Sequence, residues 1–72
     1  MRSVSVNEIA QELMGKLKEK KEITTEDIIL SYNVTPPVAY SVLTVLKALC
    51  LQHPEECQVV RRGRKTVIVS KQ

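Results

Sequence analysis

The sequence predicts an α+β fold, three helices followed by a two-stranded β-hairpin, and three observations lead there. Apolar residues recur at helical spacing in three separate stretches, each stretch opens on a residue able to cap a helix, and residues 57–70 alternate in polarity around a single glycine. The 72 residues are too few for a deep cavity walled by a second lobe. They are read as one domain spanning 1–72, with helices at about 6–20, 25–32 and 36–51 and a hairpin at about 57–70.

The first helix follows Ser5-Val6-Asn7-Glu8, a capping-box pattern in which Val4 can staple to Ile9. Ile9, Ala10, Leu13, Met14 and Leu17 form its inward stripe, and the mixed charges of Lys18 to Glu22 read as a solvated helix end. An extended arm over Arg2 to Val6 competes with the capping reading. Thr24 and Asp27 repeat the box, with Ile23 and Ile28 at the staple positions. The second helix carries Ile28, Ile29 and Tyr32 inward, and Asn33, tolerant of a left-handed backbone, closes it.

The third helix is the stretch around which the chain is organised. Thr35 is the candidate N-cap, its hydroxyl accepting a first-turn N–H, and Pro36 suits the first helical position because no N–H is needed there. Val38, Ala39, Val42, Leu43, Val45, Leu46, Leu49 and Cys50 fall on one broad face; Tyr40, Ser41, Thr44 and Lys47 fall on the other. Pro54 then fits a helix stop. In the hairpin, a turn through Arg62-Gly63-Arg64 sets Val59 opposite Val67 and Arg61 opposite Lys65. Cys57, Val59, Val67 and Val69 then form one row, and Gln58, Val60, Thr66 and Ile68 the other.

Charge is unevenly placed. The net charge is +3, yet residues 1–57 sum to −2 and residues 58–72 to +5, the latter without a single acid. Such a basic end suits an anionic partner, since a merely solvated surface intersperses both signs. No apolar run is long enough to span a bilayer and no signal-peptide pattern opens the chain, so the expectation is a cytoplasmic, nucleoid-associated protein without a membrane or small-molecule partner. The absence of Phe and Trp leaves an aliphatic core, for which dimerisation or a disulfide would be natural supplements.

Cys50, His53 and Cys57 fall one ligand short of a closed zinc set, with Glu55 or Glu56 an unusual fourth, so no metal site is expected. Two buried free thiols are the first reading of the cysteines and a bridge the second. His53, at a helix C-terminus, reads as a favourable dipole contact. With one His, no supported nucleophile and no Gly-rich phosphate loop, neither an enzyme nor a cofactor is expected.

Helix, short β segment, helix, tight turn, helix and basic hairpin resembles the winged helix-turn-helix superfamily over Ser5 to Ser70, in the form of the small archaeal and archaeal-virus regulators. Thr25 to Tyr32 and Pro36 to Leu51 match the two helices of the motif, Asn33-Val34-Thr35 the turn, and Val59 to Val69 the wing. The chain departs from the commoner pattern in carrying Asn33 where many members have Gly, and Pro36-Pro37 where members often place polar residues against DNA. The resemblance implies that the third helix enters a major groove with Tyr40, Ser41, Thr44 and Lys47, and that the wing, Arg61, Arg62, Gly63, Arg64 and Lys65, meets phosphates or a minor groove. Sequence-specific double-stranded DNA binding by a transcription regulator is the expected function. A homodimer is expected from the apolar side chains Val4, Val6, Leu51, Val60 and Ile68, left over after the core is assigned. The alternative is a protein- or RNA-binding module of a larger replication, transcription or ribosomal assembly.

Overall fold

The computed structural model describes residues 5–71. Of three helices, α1 (Val6–Lys20), α2 (Thr25–Tyr32) and α3 (Pro36–Gln52), α1 and α3 pack on a three-stranded antiparallel sheet formed by β1 (Glu22–Ile23), β2 (Cys57–Arg62) and β3 (Lys65–Ser70), and α2 packs against α3. The sheet order is β1-β3-β2, so the strand made last lies in the middle.

Local chemistry sets the helix boundaries. The Ser5 hydroxyl accepts from the Glu8 N–H at 3.2 Å, half of the expected capping box; the Val4 staple lies outside the described residues. Around α2 the box is complete: the Asp27 N–H donates to the Thr24 hydroxyl at 3.2 Å, and the Thr24 N–H donates to the Asp27 carboxylate at 3.0 Å. Asn33 closes α2 at φ 53°, ψ 46°, its N–H donating to the Ile29 carbonyl at 2.9 Å. Thr35 takes the N-cap backbone conformation of α3, but its hydroxyl makes no capping bond. Prolines fill the first two helical positions, so the Val38 N–H is the first one open to that hydroxyl, and the bond is not made.

Ile9, Ala10, Leu13 and Leu17 of α1, Ile28 of α2, and Ala39, Val42, Leu43, Leu46 and Cys50 of α3 meet Ile23, Cys57 and Ile68 of the sheet in one core. The core face expected of α3 is the one buried, with Val38, Val45 and Leu49 half-buried at its margin.

The hairpin corrects the expected register by one residue. Arg62 pairs with Lys65, Val60 with Val67 and Val59 with Ile68, so the loop is the two residues Gly63-Arg64 rather than three. Of the two loop residues only Gly63 has positive φ, 64°, the pattern of a turn with glycine at its first central position. The slip exchanges the rows of β3. Ile68 joins Cys57 and Val59 toward the helices, and Val67 and Val69 join Val60 on the reverse face.

Two further expectations change with it. Cys50 and Cys57 form a disulfide, with Cα atoms 5.5 Å apart, instead of two free thiols. Of the five apolar residues assigned to a dimer face, Ile68 lies fully in the core and Val6 packs against it, while Val4 is outside the described residues. Leu51, 78% exposed, and half-buried Val60 remain.

Candidate nucleic-acid interface

α2 and α3 meet at 119° across the short turn through Asn33, within the range of a helix-turn-helix pair. That angle sets the first turn of α2 beside the polar flank of α3, and the hairpin curls toward the same place. Tyr40, Thr44 and Lys47 from α3 and Arg64 and Lys65 from the wing therefore line one concavity of about 200 Å³. Both halves of the expected contact surface share a single face. Ser41 and Arg61 are exposed but do not line this cleft, and Gly63 contributes the backbone turn that presents Arg64.

Hydrogen bonding narrows what the hydroxyls can do. Ser41 donates to the Pro37 carbonyl at 3.1 Å and Thr44 to the Tyr40 carbonyl at 2.9 Å, each one turn back along α3. In that rotamer they offer lone pairs outward, which suits them to accept from base amino groups rather than to donate to phosphate. Tyr40 is 61% exposed and free to reach outward.

The wing is less cationic in space than along the chain. Arg62 donates to Glu22 of β1 through both terminal nitrogens, the Nη1–Oε1 bond measuring 3.0 Å, and Lys65 pairs with Glu26 of α2. The hydrogen bond to Arg62 holds the Glu22 carboxyl below the usual carboxylate range and raises the guanidinium; that to Glu26 raises the Lys65 ammonium. These acids offset a like-charge pair, because Arg62 and Lys65 stand directly opposite each other in the ladder. The Arg62–Glu22 bridge spans β3, joining its two neighbouring strands. Arg61 and Arg64 have no acid partner among the described residues.

Sequence reasoning missed Thr25, Glu26 and Thr66, which also line the cleft. Glu26 lies in the first turn of α2, and the helix-turn-helix pairing itself was the signal that this turn would adjoin α3. The disulfide removes both cysteines from any metal set, and His53 caps α3 through its backbone N–H, shared between the Leu49 and Cys50 carbonyls.

Residues 2–72 match the sequence profile described as F-112 protein. The chain belongs to the F-112 family. One relative, the ORF70 protein of Acidianus two-tailed virus, is 71% identical over 68 residues, 94% of this chain and 97% of that protein. Protein F-112 of Sulfolobus spindle-shape virus 1 is 46% identical over 56 residues, 76% of this chain and 50% of its own length, so the chain spans about half of that relative. A solved structure of F-112 from the same virus, described as a DNA binding winged-helix protein, superposes with a TM-score of 0.88 at 33% identity, covering 97% of this chain and 100% of that one. The fold of this F-112 family member is therefore the winged helix, and its resemblance to small archaeal-virus proteins of that fold holds.

Proposed function

We propose that this protein binds double-stranded DNA in a sequence-specific manner and regulates transcription, acting as one winged-helix unit over the whole chain. The observation that carries the proposal is the shared cleft, where Tyr40, Thr44 and Lys47 face Arg64 and Lys65. A helix flank bearing hydroxyls and one Lys fits a major groove, and cations beside it fit the adjoining phosphates. The DNA-binding description of the F-112 structure supports the same reading. Ser41, Arg61, Arg62 and Gly63 belong to the contact surface at its edges. A homodimer would set two copies of α3 into successive major grooves about 34 Å apart. Its support is exposed Leu51 near the end of α3 and half-buried Val60 on β2, an edge strand.

Selection of bound duplexes from a random pool, followed by salt titrations on a selected duplex, a random duplex and structured RNA, tests the proposal. Recovery of one motif, bound more tightly than random duplex at every salt concentration, is the expected result. Indifference to all three ligands would favour a protein-interaction module, for which 83%-exposed Leu30 on the outer face of α2 would be the natural contact. A monomer by sedimentation at high concentration, with a footprint lacking a dyad, would remove the homodimer and leave the DNA contact in place.

A further inference from the structure

The cleft between α3 and the wing gathers more than a groove-reading flank needs. Three cations, Lys47, Arg64 and Lys65, and the hydroxyl-bearing Thr25 and Thr66 line one small concavity. Cations and hydroxyls converging in this way suit a tetrahedral anion. One acid sits among them: Glu26, whose carboxylate pairs with Lys65. The first turn of α2 has no structural need of that acid, because Asp27 already completes the capping box with Thr24. Both partners are exposed, so the pair adds little to stability. Its consequence falls on whatever enters the cleft.

We propose that the cleft is a seat for one backbone phosphate of the duplex, and that the Glu26 carboxylate occupies it in the free protein as a resident counter-anion. The inference rests on the DNA-binding reading above and adds to it a named phosphate site and the residue that sets its affinity. On binding, the phosphate displaces the carboxylate and Lys65 exchanges one anion for the other. No covalent bond changes. The exchange makes the Lys65 contact nearly neutral in net charge pairing, so the wild-type protein gains less from that phosphate than its cation count implies. Glu26 thereby restrains the sequence-independent part of the affinity.

The test is a salt series on random duplex with wild type, Glu26→Gln, Lys65→Ala and the double variant, and with Glu55→Gln as a control of equal charge change. Glu55 lies two residues before β2, at the end of the hairpin away from its tip. Glu26→Gln should bind about three- to tenfold more tightly near 0.1 M salt and steepen the log–log salt slope by about 0.9, since one more phosphate is neutralised by a free cation. The gain should largely vanish in the Lys65→Ala background and be absent in Glu55→Gln. Four results would overturn the proposal: unchanged or weaker binding by Glu26→Gln, a gain matched by Glu55→Gln, a gain that survives loss of Lys65, or an unchanged salt slope. If wild type binds duplex and one of these is found, the phosphate seat alone is lost; if no variant binds duplex at any salt, the DNA reading fails with it.

Discussion

Thr44 and Arg64 line the same cleft, and under the proposed function the first reads and the second anchors. Thr44 offers lone pairs toward a groove, so Thr44→Ala is expected to change which duplexes are selected while leaving the salt slope nearly intact. Arg61 and Arg64 lack acid partners among the described residues, so neutralising both should weaken binding to every sequence and flatten the salt slope by about 1.8. Arg62→Gln should cost less, because Glu22 already holds that guanidinium. An unchanged affinity for the Arg61/Arg64 double variant in a salt titration would count against the wing as an anchor. Tyr32 carries a different signal. Its hydroxyl is buried with no hydrogen-bond partner among the described residues, and burial, with the nearby Glu12 carboxylate adding to it, pushes the phenol above its ordinary value. An orphaned polar atom costs about 1 to 3 kcal/mol, so Tyr32→Phe should leave stability unchanged or raise it by up to about 1 kcal/mol in a denaturant melt.

Elements reveal where sequence reasoning reaches and where it stops. The capping box of α2, its left-handed Asn33 and the inward stripe of every helix were legible because each depends on residues a turn or so apart. Thr24→Ala is accordingly expected to cost about 1 kcal/mol, read as a lower unfolding midpoint. The wing register was not legible, because a two-residue and a three-residue loop both accommodate Gly63, and apolar side chains populate both faces of β3, Val67 and Val69 on one and Ile68 on the other. Nor were the acids beside the wing. Glu22 and Glu26 lie 40 and 39 residues from their partners, and only the sheet and the α2–α3 crossing bring them together. The Glu22–Arg62 pair yields a prediction about pH. Its carboxyl is held below the usual range, so the stabilisation is fully present above about pH 4.3 and is lost as pH falls through the lowered value. Amide exchange in β3 should quicken over that acidic window in wild type and lose the dependence in Arg62→Gln; an identical profile in both would remove the bridge from the account of the wing.

For the molecule as a whole, an aliphatic core without Phe or Trp needs its few large side chains. Leu46 is fully buried between helices and sheet, and Leu46→Ala should cost about 2 to 5 kcal/mol. The disulfide joins the end of α3 to the start of β2 across a sequence separation of 7, a loop short enough that removing it as Cys50→Ala/Cys57→Ala should cost about 2 to 2.5 kcal/mol. Calorimetry with and without reductant checks this, the double variant becoming indifferent to reductant. The free-thiol reading rested on compartment rather than distance, and distance decided.

The position of β3 also dictates the order of assembly. As the nascent chain leaves the ribosome, the helices, β1 and β2 all emerge before the strand that bridges them. Until then Ile23 and Cys57 have no Ile68 between them, and β1 and β2 cannot hydrogen-bond to each other. Closure must wait for β3, so a chain stalled at the hairpin tip would present bare strand edges to its neighbours and invite aggregation.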